Sequence, residues 1–565
     1  MSDPTLLPLL LARDLDQPLA WRAGVAVSAR EFLADVERFA PELLPGGPVV
    51  NLCVDRYAFA VGLAAALLRG EASLLPPDAR PDTLARLHET GDPAFAITDD
   101  PKLQTPGLPR VLIDAHAEPA GALDAAVPAF ARGMHAVSLL TSGSTGAPQP
   151  HAKRWDTLVG DVAAAVERLA QWLGRSSLAG LNLVATVPVQ HSYGLESTVL
   201  LALLGGAAFD SGRPFFPADV AQALASVPEP RALVTTPFHL KTLLLAGIEL
   251  PRVELILSAT APLSPQLAAR AEQAMGAALI EIYGSTESGQ VATRRPTQSE
   301  VWQTFGQIRV QAKHGPDGAE RFVFSGDFIP EPTPMADVLE LVDDRRFRLL
   351  GRANDLIHVA GRRSSLGYLN HHLNSIPGIV DGAFWLPDEV ADGVVRPIAF
   401  VVAPDLEAGA IIAALRERLE AVFVPRRVVH VAAFPREGTG KLTARSLREF
   451  ALAHLAADGM PVRLTLEVAE DHPAFAGHFP GQPLLPGALL LAEVLEAVRG
   501  VPVLAARLGE SPTLAAAKFL APVRPGSTLS IELSPETGAA RGLRFEARCG
   551  ATVVASGRWL PDSAS

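Results

Sequence analysis

Leu139-Leu140-Thr141-Ser142-Gly143-Ser144-Thr145-Gly146-Ala147-Pro148 is the stretch on which the reading of this chain turns. An apolar run of the kind that forms a buried strand opens into a loop dense with hydroxyls and glycines. Glycine has no Cβ to hold an anion away from the backbone N–H groups. Successive N–H groups in a turn form an anion nest, to which serine and threonine add donors. The Gly-x-x-x-x-Gly-Lys-Ser/Thr spacing of a Walker A loop is absent. Taken alone, such a loop is as readily a flexible surface turn, so its meaning depends on its surroundings.

Outward from the loop, short β-like runs at 183–189, 232–236, 253–258 and 278–283 are joined by segments of Ala/Leu-rich helical periodicity, including 58–68 and 161–173. Short buried strands alternating with helices predict α/β layering with largely parallel sheets. The character changes near Leu349-Leu350-Gly351-Arg352. A compact α+β stretch follows, with strands at 399–402 and 428–431 and helices at 408–421 and 443–456. It changes again from Val462, where an apolar helix at 487–498 precedes alternating strands at 528–533, 543–548 and 552–559. One helix wrapped by an antiparallel sheet is the expected architecture of this tail. Three domains are predicted, 1–350, 351–457 and 458–565, with 330–334 a proline-rich loop inside the first.

With 565 residues and 48% hydrophobic composition the chain can bury several cores. A net charge of −12 and the lack of a long basic run exclude nucleic-acid binding. Cys53 and Cys549 are far apart and follow no metal spacing, which fits a reducing, cytoplasmic setting. The first residues carry acid rather than a basic n-region and do not read as a signal peptide. Apolar runs such as 199–209 are too short to span a bilayer.

Further motifs follow in order. Val187-Pro188-Val189-Gln190-His191-Ser192-Tyr193-Gly194 comes after one strand. Glu281-Ile282-Tyr283-Gly284-Ser285-Thr286-Glu287-Ser288 puts an aromatic, a hydroxyl and a carboxylate at the end of another. Ligands sit at such strand ends on open α/β sheets. Next come Ala336-Asp337, Leu350-Gly351-Arg352-Ala353-Asn354-Asp355 and Pro435-Arg436-Glu437-Gly438-Thr439-Gly440-Lys441-Leu442. Lysine is scarce: besides Lys441 there are only Lys102, Lys153, Lys241, Lys313 and Lys518. A compact ammonium on a flexible stem can follow charge developing on a reacting oxygen better than a planar guanidinium.

Together these motifs resemble the acyl-adenylating superfamily (acyl-CoA synthetases, peptide-synthetase adenylation domains, firefly luciferase) over about residues 1–455. The resemblance implies a large α/β adenylating domain, a small mobile α+β subdomain, and a requirement for ATP and Mg²⁺. It implies that Thr141, Ser142, Gly143, Ser144, Thr145 and Gly146 hold the ATP phosphates and that Tyr283 stacks on adenine. Thr286 would contact the α-phosphate or the acyl carboxylate, and Glu287 would hold Mg²⁺. Asp337 would accept the ribose hydroxyls, with Arg352 adding a ribose or phosphate contact. His191 would gate the acyl pocket. Lys441 would serve adenylate formation and then withdraw as the small subdomain turns about a hinge at Asn354, where many relatives have aspartate. The family's Thr-Gly-Asp stands here as Met335-Ala336-Asp337. Its Pro-Lys-Gly is replaced at Gln149-Pro150, with Lys153 close enough in sequence to supply the missing charge.

Gly477-His478-Phe479-Pro480-Gly481-Gln482-Pro483-Leu484-Leu485-Pro486-Gly487, with Ala516-Ala517-Lys518-Phe519 and Pro522-Val523-Arg524-Pro525-Gly526, resembles hot-dog-fold 3-hydroxyacyl-carrier-protein dehydratases over 462–565. In those enzymes the histidine, here His478, works with a carboxylate on the following helix. That position is Ala492, with Glu493 beside it. One residue turns a helical side chain by about 100°, so Glu493 is expected to face away. The module is then expected to bind carrier protein or pair two chains rather than dehydrate.

The fusion resembles proteins of aryl-polyene and xanthomonadin pigment pathways. This implies a ligase that loads 3- or 4-hydroxybenzoate onto holo acyl-carrier protein, with coenzyme A as the other candidate acceptor, in a homodimer formed through the hot-dog domain. Its acid pocket would lie near His191, the Ser258-Ala259-Thr260-Ala261-Pro262 turn and Gln290. The alternative is a ligase for a medium-chain or 3-hydroxy fatty acid with a working dehydratase.

Overall fold

The structure, a computed structural model, describes residues 5–561 except 12, 90–94, 115–125, 143–147, 262, 315–319, 353–355, 360–361, 388–395, 437–441, 476–481 and 537–541. It divides into two compact units, Met1–Asn354 and Asp355–Ser565.

In the first unit, strands Pro18–Arg22, Ala208–Asp210, Asn182–Ala185, Arg231–Thr235, Leu255–Ser258 and Ala278–Ser285 run parallel in that spatial order. Gly289–Arg294, Trp302–Thr304, Arg346–Arg352 and Asp337–Leu341 extend the sheet antiparallel. Asn182–Ala185 and Leu255–Ser258 are buried at every position. Continuous burial is what strands covered on both faces require, and it makes them read as short apolar runs. A second sheet has the order Pro148–Arg154, His135–Ser142, Ser73–Leu75, Val49–Asn51, Phe95–Thr98, Arg110–Leu112. The predicted helices are Arg56–Leu68 and Trp155–Leu173. Arg56–Leu68 is apolar all round and almost wholly buried, as such helices must be.

The proline-rich stretch is not the expected loop. Ile329–Met335, with Pro330, Pro332 and Pro334, is a strand at the edge of a three-stranded sheet beside Glu320–Gly326. On an edge strand every second N–H points away from the partner, so prolines at alternate positions remove no ladder bond.

The second unit opens with the hairpin Leu356–Val359/Arg362–Ser365 and a sheet of Asp381–Trp385, Ile398–Val402 and Val428–His430. Helices Leu366–Asn374, Ala408–Arg416 and Ala444–Ala457 accompany them. A five-stranded antiparallel sheet follows in the order Val462–Glu467, Thr528–Pro535, Leu543–Cys549, Thr552–Leu560, Thr513–Phe519. It carries the predicted helix, Gly487–Arg499, and a shorter one, Pro502–Leu508. Helix Ala444–Ala457 places Ala451, Leu452, Leu455 and Ala456 in one core that holds both Trp385 and Phe400 of the small sheet and Val462, Val494, Leu504 and Phe545 of the tail. The two halves of this unit therefore share a hydrophobic interior.

Candidate active site

The parallel strands end in register. Thr235, Ser258 and Glu281 are aligned across three neighbours, and the Thr186 amide donates to Val234 O at 3.0 Å. The segments that follow these strands, carrying His191, Thr260 and Thr286, consequently leave the sheet along one edge. Arg56, 1% exposed, fastens the first of them by donating to Ala185 O at 2.7 Å and Val187 O at 2.6 Å. Gln190 adds a bond to Cys53 O at 2.5 Å. His191 then caps a helical turn, Ser192–Gly194, that runs into a π-helical turn, Leu195–Leu200. A Cβ at Gly194 would lie 1.9 Å from Pro188 O, so only glycine fits there. π-helical turns are rare and concentrate at functional sites. This one buries Glu196, Ser197 and Thr198.

On the neighbouring strand end, the Tyr283 hydroxyl donates to the Asp337 carboxylate at 2.7 Å, and its ring packs on Trp302, Phe324 and Phe347. Asp337 lies opposite Arg352 across its strand pair. Residues 54 positions apart are thereby joined. Thr286 is half-buried, and Glu287 projects at the turn with half its side chain exposed. Burial pushes the Glu287 carboxyl up. The Ser285 hydrogen bond, its own amide, and the charges of His151 and Lys153 outweigh that and hold it below the usual range. A carboxylate kept ionised at this edge suits Mg²⁺, which takes one or two carboxylates together with phosphate oxygens. Among the described residues no group of three His, Cys, Asp or Glu could hold a metal without such help.

Beneath this turn lies a buried group in which sequence reasoning picked out Lys153 and Gln290 but missed Asp161 and Glu196. Lys153, 4% exposed, donates from Nζ to Glu287 O at 2.8 Å. Asp161 accepts the Gln290 amide at 3.3 Å, Ser192 donates to Glu196 at 2.5 Å, and Gln290 Nε2 donates to Ser197 at 2.9 Å. Burial raises Asp161 well above the carboxylate range and Glu196 up to about 7, with Lys153 pulling both back. A signal existed for each. Asp161 falls on the apolar stripe of Trp155, Leu158, Val162, Ala165 and Leu169, and Glu196 interrupts an otherwise uncharged run.

The glycine- and hydroxyl-rich loop joins two antiparallel strands, with Thr141 opposite Gln149 and Ser142 opposite Pro148. Gly143, Ser144, Thr145 and Gly146 lie outside the described residues, as do Lys441, His478 and the hinge residue Asn354. The stretch containing Lys441 is flanked by two anchors. Arg436 binds Asp381 through two bonds of 2.8 and 2.7 Å, and Thr443 caps helix Ala444–Ala457 through the Ser446 amide at 3.1 Å. On helix Gly487–Arg499, Ala492 faces solvent, while Glu493 turns to His472, 3.7 Å away.

The strand ends thus gather the Glu287 carboxylate and the hydrogen-bonded Tyr283–Asp337 pair. Residues 12–312 match the family described as AMP-binding enzyme, and 455–558 match ApeI dehydratase. The chain belongs to the AMP-binding enzyme family: it is an acid–thiol ligase that works through an acyl-adenylate with ATP and Mg²⁺, and it carries a dehydratase-type hot-dog domain. It is 31% identical over 292 residues to a 4-coumarate–CoA ligase of Rhodobacter capsulatus, covering 51% of this chain and 69% of that one. It is 25% identical over 380 residues to a 2,3-dihydroxybenzoate–AMP ligase of Bacillus subtilis, covering 60% and 67%. The fold is shared with ATP-bound MatB from Rhodopseudomonas palustris, with a TM-score of 0.62 at 19% identity over 77% of this chain and 97% of that one.

Proposed function

We propose that this ligase activates an aromatic hydroxy acid, 3- or 4-hydroxybenzoate, and delivers it to the phosphopantetheine thiol of an acyl-carrier protein for aryl-polyene or xanthomonadin-type pigment assembly in the cytoplasm. The observation that carries the reading is the joining of an acid-activating site to an ApeI-type dehydratase region in one chain. The curated relatives named for hydroxylated aromatic acids support the substrate class.

In this reading the acid carboxylate attacks the α-phosphorus. A P–O bond forms, the α–β anhydride breaks, and pyrophosphate leaves. Two anions meet in that step, so catalysis rests on positioned cations. Mg²⁺, held by Glu287, supplies part of the positive charge when bound, and Lys441 the rest. Residues 141–146 cradle the phosphates, Tyr283 and Asp337 hold adenine and ribose with Arg352, and Thr286 meets the α-phosphate or the acyl carboxylate. His191 gates the acid pocket beside Thr260. The thiol then attacks the mixed anhydride and displaces AMP. The domains act as 1–350, 351–457 and 458–565. The last pairs two chains: its edge strand Thr513–Phe519 leaves Leu514 and Phe519 exposed, with Leu520 following.

A second reading, a fatty-acid ligase with a working dehydratase, is favoured by the His472–Glu493 pair, an acid/base couple between the hot-dog helix and the loop that precedes it. ATP–pyrophosphate exchange across benzoates and fatty acids, followed by the mass of the loaded carrier protein, tests both. Exchange with fatty acids and with no aromatic acid refutes the first reading.

A further inference from the structure

Gln149-Pro150 leaves the loop without the lysine that relatives carry, and Lys153 is the lysine nearest to it in sequence. Its ammonium, however, is buried. His151 and Lys153 stand two apart on strand Pro148–Arg154, so their side chains project to one face. Both reach Glu287. His151 Nε2 lies 3.6 Å from its carboxylate, and Lys153 Nζ donates to its carbonyl at 2.8 Å.

The helix that follows this strand returns Asp161 to the other side of the same turn, where it accepts the Gln290 amide at 3.3 Å. Gly289, at φ +74°, makes room for it: a Cβ there would sit 2.3 Å from Asp161 Oδ2. An ammonium on the carbonyl of residue 287 and a buried carboxyl oxygen on the amide of residue 290 thus clamp the turn at both ends. A buried ammonium is costly to desolvate unless carboxylates compensate it. Asp161 and Glu196, each buried and each within electrostatic reach of Lys153, do so.

We propose that Lys153, backed by Asp161 and Glu196, is the positioning residue of the Glu287 turn: it sets the Glu287 carboxylate for the metal–nucleotide complex and does not itself bind phosphate. The inference rests on Glu287 as the metal ligand. It gives the missing loop lysine no direct substitute, and it makes the interior charges part of the catalytic geometry.

The test is Mn²⁺ binding, followed by electron paramagnetic resonance on the full chain with α,β-methylene-ATP, in Lys153→Met, Lys153→Met/Glu196→Gln and Glu287→Gln. Lys153→Met should weaken Mn²⁺ binding about 10- to 100-fold, the usual cost of losing a residue that orients a metal ligand. It should also lower the melting temperature. Adding Glu196→Gln removes the buried carboxyl left without its cation and should restore the melting temperature but not the Mn²⁺ affinity. Recovery of both would show that Lys153 only balances charge and would overturn the proposal. Weaker nucleotide binding by Lys153→Met in EDTA would also overturn it, by making the ammonium a phosphate ligand. Unchanged Mn²⁺ binding by Glu287→Gln would instead remove the metal reading itself. Loss there with none in Lys153→Met would sink this inference alone.

Discussion

Leu455→Ala probes whether the small subdomain and the hot-dog domain are one body. Leu455 is 4% exposed on helix Ala444–Ala457, in a core that contains Phe400 of the small sheet and Val494 and Phe545 of the tail. Removing a buried leucine side chain costs its transfer free energy plus a cavity term, about 3 kcal/mol. For a cooperative unit of roughly 200 residues each kcal/mol moves the midpoint by about 2–4 °C, so the expected shift is about 6–12 °C. Scanning calorimetry of the full chain should show the second unit, Asp355–Ser565, melting in a single transition that shifts as a whole. The transition of the first unit should stay in place. If the second unit melts in two steps and only one of them moves, the shared interior is not cooperative and the reasoning fails. A single shifted transition would mean that any rotation of the subdomain bearing Lys441 carries the hot-dog domain with it.

Other outcomes follow from local geometry. Lys441→Ala should abolish ATP–pyrophosphate exchange while largely sparing thiol transfer from a supplied acyl-adenylate; equal loss in both half-reactions would contradict its assignment. Thr260 holds φ +79°, a strained angle for a β-branched residue. Thr260→Gly should therefore raise stability by about 1 kcal/mol in urea melts, and, if the turn lines the acid pocket, change the ranking of benzoates in exchange assays. Glu196 titrates near 7 in the folded chain against an ordinary value of 4.5, so between these two the folded state holds a proton that the unfolded state has lost. Stability should then fall as pH rises from about 4.5 to 7 and level off above. Glu196→Gln should flatten that slope in thermal melts at a series of pH values. Persistence of the full slope would place the titration elsewhere.

The order of motifs along the chain already specified the reaction class. The motifs around Tyr193 and Tyr283 follow short buried strands, and that pattern is local. Tyr283 and Glu287 could be read from residues next to one another, and so could the anion-nest composition of 141–146. The helix and strands of the tail were legible for the same reason, since alternation along Thr528–Pro535 marks one buried face. Pro330–Pro334 misled because proline composition says loop, and only the pairing of an edge strand shows where the missing N–H groups point.

What tertiary structure alone decided is which distant groups meet. Nothing in the sequence joins Tyr283 to Asp337, Arg436 to Asp381, or Lys153 to Glu287, because each pair is brought together by sheet register and strand return across tens of residues. The same holds for Glu493. Its helical phase relative to Ala492 was computable, but its partner His472 comes from the preceding loop. Local sequence carried the chemistry that neighbouring residues can express. Burial, charge compensation and the sharing of one core between two segments are properties of contacts, and contacts are made only when the chain is folded.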